Sequence, residues 1–318
     1  MDHAAQLDPH GPGSGPMSGI KRKAEPYGWC PTAYRPMMAE DGYLVRVRPH
    51  LSRLTTDQTL GLCTLAQRFG NGLLEFTIRS NIQLRGVRED TYAPLVRGLA
   101  ALDLLDPDAA YEHRRNILMT PLWAAQDMNV RLHDQLLKHL AQLPELPAKM
   151  GIGIDCGPAR VLQEASADFR FEVTEAHTLI LRADGSTLGR AVTLETAAAA
   201  LVDMAEWFLA TGGSTAGRMA RHLETTALPP DWMHAQPAPA TAAPKIGRNA
   251  QGILCAAPAG AHSAAALAAF ITRAAPSALR TTPWRAILLE DAQNPDLVDP
   301  EHPWEERGSN VTTETADV

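Results

Sequence analysis

TIRSNIQLRG, residues 77–86, decides how the rest of the chain is read. Taken as one extended strand, it turns Arg79, Asn81, Gln83 and Arg85 to one side and Ile78, Ser80, Ile82 and Leu84 to the other. An antiparallel sheet with one solvated face gives the same alternation. Such faces more usually mix lysine, glutamate and threonine. Two guanidiniums interleaved with two amides offer planar, paired donors suited to carboxylates and oxyanions. The strand is therefore read in two ways, as a wet sheet face or as an anion-binding face.

Working outward, GYLVRVRPH (42–50) alternates as a strand, and Thr55 with Gln58 three residues on marks the start of a helix that Gly70 closes. Asn71-Gly72 then turns the chain into the opening stretch. The order strand, helix, long strand recurs near the other end: QGILCAAP (251–258), AHSAAALAAFITRAA (261–275) and ALRTTPWRAILLED (278–291). Self-similarity of this kind points to a duplicated unit. Between the copies, helices are expected over 90–106, 127–142, 193–210 and 218–226. A strand is expected over 146–157 and a hairpin over 168–184, with 113–122 a loop or short strand. The Pro/Ala-rich stretch 234–245 reads as a linker.

Composition limits the function classes. The chain has 318 residues, 45% of them hydrophobic, enough for two or three modules with real cores. A net charge of −7 argues against general binding to nucleic acid or a membrane surface, so an anion site has to be a local arginine cluster. No apolar run is long enough to span a bilayer, and the N-terminus lacks a signal-peptide core, so a cytoplasmic location is expected. Residues 1–24 read as a disordered Gly/Pro/Ser-rich leader. The tail, 293–318, carries seven acidic residues and one arginine and reads as loosely packed. The four cysteines, Cys30, Cys63, Cys156 and Cys255, are far apart in sequence and read as reduced structural thiols; no metal-ligand spacing occurs among the histidines. FGNG (69–72) follows a helix, the reverse of a dinucleotide fingerprint, and neither a nucleophile elbow nor a P-loop occurs. Arg115-Asn116, Lys149 and Arg280 are further polar positions that could converge on the same cleft, although each alone reads as a surface charge.

WCPTAYRPMMAEDGYLVRVRP (29–49), TIRSNIQLRGV (77–87), RRNILMTPL (114–122), LPAKMGIGID (146–155) and LRTTPWRAILL (279–289) together resemble the nitrite/sulfite reductase superfamily, and within it the precorrin-3B synthase branch. The resemblance implies an α/β (α+β) fold of ferredoxin-like half-domains and larger α/β domains. Residues 25–88 match half-domain 1, 89–232 a reductase-like α/β domain, 233–249 a linker and 250–292 half-domain 2. The resemblance also implies that Arg79, Gln83, Arg85, Arg115, Asn116 and Lys149 bind a tetrapyrrole's carboxylates or an oxyanion; Asn81 and Arg280 join them as candidates from the residue pattern.

The activity implied is an O2-dependent hydroxylation and lactonisation of precorrin-3A in aerobic cobalamin biosynthesis. A 4Fe–4S cluster and iron are expected of the family. The cysteines that would hold the cluster belong to a second large domain, which nothing after TPWRAILL matches, and no siroheme is expected if the precorrin branch is the right one. Carboxylated tetrapyrrole is the implied ligand, with an electron donor or a missing-half subunit as implied protein partners. Two alternatives accompany this reading: a non-catalytic tetrapyrrole-binding subunit or remnant, and a fragment of a sulfite or nitrite reductase. Gly151 weighs against the latter, where a second lysine is expected. The unmatched second large domain also predicts an exposed apolar face on the 250–291 unit.

Overall fold

The computed structural model describes residues 30–304. The leader of residues 1–24 and the tail from 305 onward lie outside them. The duplication read from the sequence is visible in the element order. In the first copy β1 (Met37–Ala39) and β2 (Gly42–Val47) form a hairpin, and β3 (Arg53–Thr55) leads into α1 (Thr56–Phe69). A second hairpin follows, β4 (Leu73–Phe76) and β5 (Ile82–Val87). After it come α2 (Glu89–Ala101), α3 (Ala109–Arg114), β6 (Ile117–Met119), α4 (Met128–His139), β7 (Ile152–Asp155), β8 (Phe169–Val173), β9 (Leu179–Ala183), β10 (Arg190–Ala191), α5 (Leu194–Ala210), α6 (Gly213–Ala216) and α7 (Met219–Leu223). The second copy repeats the first: hairpin β11 (Gly247–Asn249) and β12 (Gly252–Ala256), short strand β13 (Ala261–Ser263), α8 (Ala264–Ala274), hairpin β14 (Ala278–Thr281) and β15 (Ala286–Glu290).

The two copies exchange their short strands. The first sheet runs β1-β2-β5-β4-β13 and the second β11-β12-β15-β14-β3, both antiparallel throughout. Leu54 of the first copy thus lies opposite Leu279, and His262 of the second lies opposite Leu74. The same glycine opens the second strand of each copy: Gly42 at φ +123° and Gly252 at φ +146°. A Cβ there would lie 2.9 Å from the Val87 carbonyl oxygen and 2.0 Å from that of Leu289 respectively, so no larger side chain fits either tight hairpin.

The apolar faces of both sheets close on one shared core. Val45, Val47, Leu74, Phe76 and Leu84 from one sheet and Cys255, Leu279, Ile287 and Leu289 from the other meet α1 and α8 there. α1 begins where the sequence indicates: the Thr55 hydroxyl accepts the Gln58 amide N–H and the Gln58 side chain accepts that of Thr55. α2 brings Leu95 and Leu99 into this core. The helix placed with the larger domain on sequence therefore packs with half-domain 1.

The larger domain is a mixed sheet, β10-β9-β8-β7-β6, parallel from β6 to β8 and antiparallel from there to β10. Phe169, Phe171, Leu179 and Leu181 share a second core with α4 and α5. The polar half of DFRFEVTE is not wet. Arg170 donates to Asp184 and to the Leu162 and Ala165 carbonyls, while Glu172 accepts from Arg160 and Arg182. Loop 156–168 thereby seals that face.

Several expectations change. The 77–86 stretch is not one strand: residues 77–81 turn between β4 and β5, with Ser80 left-handed at φ +54°. Residues 278–291 break in the same way between β14 and β15. The apolar face foreseen on the 250–291 unit is covered, because Leu254, Ala286 and Leu288 are buried beneath Trp284 and Ile246, and Trp284 also packs on Leu118, Val161 and Leu162 of the larger domain. Finally, the 234–245 stretch is fastened down by hydrogen bonds from Ala235 to Gly189, Ala238 to Val173 and Thr241 to Arg160. The beginning of the tail is fastened too: Pro300 accepts from Ala256, and Trp304 packs on Phe76, His262 and Phe270.

Candidate functional site

The turn between β4 and β5 exists because Thr77 closes it. The Thr77 amide donates to the Asn81 carbonyl (2.9 Å), and the Thr77 hydroxyl accepts the amide N–H groups of Arg79 and Asn81. This small loop carries Arg79 toward the larger domain. One guanidinium nitrogen of Arg79 donates to the Lys149 carbonyl (2.9 Å) and to the Ser166 hydroxyl (3.0 Å). The same hydroxyl accepts from Arg218 (3.2 Å). Arg218 is held by Asp168 at 2.8 Å, and Asp168 also takes the amides of Met219 and Gly151. Two guanidiniums from different domains thus meet on one serine.

Arg46 completes the cluster. It lies opposite Gln83 across the β2–β5 pair and donates twice to the Gln83 amide oxygen, at 2.7 and 3.2 Å. Gln83 is oriented in turn by donating to Glu75. Burial holds the Arg79 guanidinium below its ordinary value; the Arg218 and Arg46 cations push the same way, against Cys30 and Asp168. Arg46, Arg79 and Lys149 have no carboxylate partner among the described residues, whereas Arg218 is neutralised by Asp168. Arg46 and Arg79 thus stand together without a carboxylate partner in a chain of net charge −7, and Lys149, itself exposed, adjoins Arg79 through its main-chain carbonyl. Asn81, buried at the foot of the loop, makes no side-chain hydrogen bond among the described residues. Ile78, beside Arg79, is exposed.

The other polar residues singled out in the sequence are already engaged. Arg85 forms a two-pronged pair with Asp41 (3.0 and 3.1 Å) and reaches Glu75 at 3.5 Å. Arg115 is buried, with Asp106 gripped at 2.8, 3.0 and 2.9 Å and the Arg48 carbonyl at 2.7 Å. Asn116 donates to the Met150 carbonyl. Arg280 is buried against Glu290, donates to the Pro121 and Trp123 carbonyls at 2.7 Å each, and lies 3.6 Å over the Trp123 ring. Arg115 and Arg280 therefore fasten domains together and are not free donors for a ligand. Gln83 and Arg85 act within their own sheet. Arg46, Ser166 and Arg218, which the sequence pattern does not single out, stand closer to Arg79. Arg46 was legible, since it occupies the strand next to Gln83 with the same alternation; Ser166 and Arg218 lie in loops without a periodic signal.

Neither of the clearest hollows competes for the role. A cavity of about 20 Å³ bordered by Asn116, Met150, Gly151 and Phe169 holds a water at most. An open cleft of about 600 Å³ between Thr174, Arg160 and residues 236–239 has only Arg160 as a cation, and Glu172 takes its charge.

Residues 35–102 match the nitrite/sulfite reductase ferredoxin-like half domain, a span that includes α2. A solved structure of the NirA protein of Mycobacterium tuberculosis superposes with a TM-score of 0.58 over 80% of this chain and 55% of that one, at 17% identity. The chain carries the nitrite/sulfite reductase fold. A curated relative, the precorrin-3B synthase of a Sinorhizobium species, is 34% identical over 161 residues, which is 46% of this chain and 32% of that protein. The chain therefore spans about a third of this curated relative and about half of the NirA chain.

The nitrite/sulfite reductase fold brings with it the expectation of an iron–sulfur cluster, and the donors present do not suit one. Cys63 and Cys255 sit in the shared core of the half-domains and Cys156 in the core of the larger domain. Burial pushes the Cys63 and Cys255 thiols up to about 12 and that of Cys156 upward as well, which keeps them protonated where a cluster needs thiolates. Cys30 is half-buried elsewhere, near Arg79. Among the described residues no three Cys, His, Asp or Glu side chains converge as a metal site. Nor is any described helix long and apolar enough to cross a membrane.

Proposed function

We propose that this chain binds a carboxylate-rich tetrapyrrole across Arg46, Arg79 and Lys149, as part of a precorrin-3B synthase-type oxidoreductase of cobalamin biosynthesis. The observation that carries the reading is the pair of guanidiniums without carboxylate partners, Arg46 and Arg79, gathered where the β4–β5 loop meets the larger domain beside Lys149. A uroporphyrin-derived macrocycle is ringed by acetates and propionates. Planar guanidiniums and an ammonium match those groups in charge, and the guanidiniums in geometry as well. Exposed Ile78 beside them offers apolar contact to the face of the ring. Similarity to a precorrin-3B synthase supports a precorrin as the substrate class and an O2-dependent hydroxylation with lactone formation as the reaction.

In this scheme the chain's own residues bind and orient. Gln83 holds Arg46 and Ser166 holds Arg79, so the donors are aimed before the ligand arrives. Among the described residues no three Cys, His, Asp or Glu side chains converge as ligands for a redox centre, which leaves binding and orientation as their part. A binding subunit that presents tetrapyrrole to a redox partner is the second reading, favoured by the burial and separation of Cys63, Cys156 and Cys255.

Fluorescence titration with uroporphyrin, an octacarboxylate, tests the site. Losing one charge-assisted contact costs about 1.5–3 kcal/mol, so Arg79→Ala and Lys149→Ala should each weaken binding about ten- to a hundredfold. Added salt should weaken it further. Equal affinity of wild type and both variants, or equal affinity for uroporphyrin and a porphyrin without carboxylates, would return these residues to a solvated surface.

A further inference from the structure

The loop that carries Arg79 is gripped from the other half of the duplication. Thr281, the last residue of β14, is fully buried, and its hydroxyl donates to the Ser80 carbonyl at 2.6 Å and reaches the Ser52 carbonyl at 3.2 Å. Both acceptors belong to left-handed residues, Ser80 at φ +54° and Ser52 at φ +54° beside Leu51 at +56°. A non-glycine residue in that region costs energy and persists only where its surroundings hold it. The Ser80 side chain supplies no such hold, since its own hydroxyl is buried without a partner. The remaining main-chain bonds of residues 77–81 are internal to the loop. Among the described residues, the Thr281 hydroxyl is thus the hydrogen-bond tie between the loop's backbone and another element.

The same hydroxyl reaches further. Its second acceptor, Ser52, follows Leu51, whose carbonyl accepts the Trp123 indole N–H at 3.1 Å, and Arg280 next to Thr281 lies over that indole. One buried threonine of the second half therefore holds the Arg79 loop of the first half and lies against the turn that accepts the Trp123 indole.

We infer that Thr281 is the positioning residue of the anion site: without touching the ligand, it locks Ser80 in its left-handed conformation and so sets the direction of Arg79. This rests on the tetrapyrrole reading above for its functional consequence, but not for its structural part. The second copy of the duplicated unit then contributes to a site whose charged residues all lie in the first copy and the larger domain.

Two measurements on the full chain separate the cases. Hydrogen exchange without ligand reads the lock directly. Thr281→Val keeps the shape and removes the donor, and should speed exchange of the Ser80 and Asn81 amides about tenfold, the worth of one neutral hydrogen bond. Thr281→Ser, which restores the hydroxyl, should stay within about twofold of wild type. Unchanged exchange in Thr281→Val would overturn the inference.

Uroporphyrin titration then reads the consequence by a double-mutant cycle. Thr281→Val should weaken binding about tenfold in the wild-type background and by less than about twofold in Arg79→Ala, because its effect runs through Arg79. Thr281→Ser should bind like wild type. An equal loss in both backgrounds would mean a general loosening and would overturn the positioning role. Equal binding by wild type and Arg79→Ala would sink the anion-site reading itself; the exchange rates would then decide by themselves whether Thr281 holds the loop.

Discussion

Replacing Arg115 by methionine should unfold much of what Arg79→Met leaves intact, although the two arginines look alike in sequence. Arg115 and Asp106 are each about 95% buried, and the carboxylate receives three short bonds from the guanidinium. Without Arg115, the cationic groups left near the carboxylate are His50, 3.8 Å away, and the buried Arg48 guanidinium, which makes no ion pair with it. Burial is the larger cause that holds the His50 imidazole down, to about 4 with Arg115 in place, and removing Arg115 lifts only the smaller push. An uncompensated buried carboxylate costs about 3–5 kcal/mol, a large share of the roughly 5–15 kcal/mol that holds a domain together. The Arg48 carbonyl loses its donor as well.

Arg79 by contrast is half-buried, faces neutral acceptors and leaves no carboxylate stranded, so its loss should cost about 1 kcal/mol. Urea unfolding followed by circular dichroism measures both. With a slope near 3 kcal/mol per molar, Arg115→Met should lower the midpoint by more than about 1 M and Arg79→Met by about 0.3 M. Adding Asp106→Leu to Arg115→Met should recover most of the loss, because the stranded charge is then gone. A midpoint shift under about 0.3 M for Arg115→Met at unchanged slope would refute the structural role and return Arg115 to the ligand site.

Burial, with Glu172 adding to it, pushes the Asp155 carboxyl up to about 6, and one of its oxygens is buried without a partner. The folded chain therefore binds this proton more tightly than the unfolded chain, whose carboxyl titrates near 4. Stability should fall by about 3 kcal/mol between pH 4 and 6 from this group, a loss that Asp155→Asn removes; parallel stability–pH curves for the two proteins would rule it out. Gly252→Ala sets a Cβ 2.0 Å from a carbonyl oxygen, while Gly72, also at positive φ, has nothing within 4 Å. Gly252→Ala should lower the melting temperature by more than about 5 °C and Gly72→Ala by about 2–4 °C, the strain of the backbone alone; equal shifts would show that the close contact relaxes.

Much of the architecture was legible because its signals are local. The Thr55/Gln58 cap starts α1 within the four residues that announce it, and the duplication shows through because each copy keeps its helix between hairpins. The break in 77–86 was hidden: the turn is made by Thr77 and a left-handed Ser80, with neither glycine nor proline to flag it. β3 and β13 escaped notice because three residues have no period, and the strands they join belong to the other copy. The site was half legible for a related reason. Whether an arginine is free depends on which carboxylate the fold brings to it, and Asp106 and Glu290, which take Arg115 and Arg280, carry no sequence mark of that role. Arg79 stands out by residue type; Arg218 and Ser166 reach it only through the folding of the larger domain.

The exchange of short strands has a consequence during synthesis. The outer edge of β4 is closed by β13, whose last residue is Ser263, whereas β4 itself ends at Phe76. At about 5–20 residues per second, a ribosome takes roughly ten to forty seconds to cover the distance between them. For that time the first sheet stands with open backbone donors and acceptors along β4, the kind of edge that recruits stray strands. The nascent chain is thus committed to a long wait for its own second half.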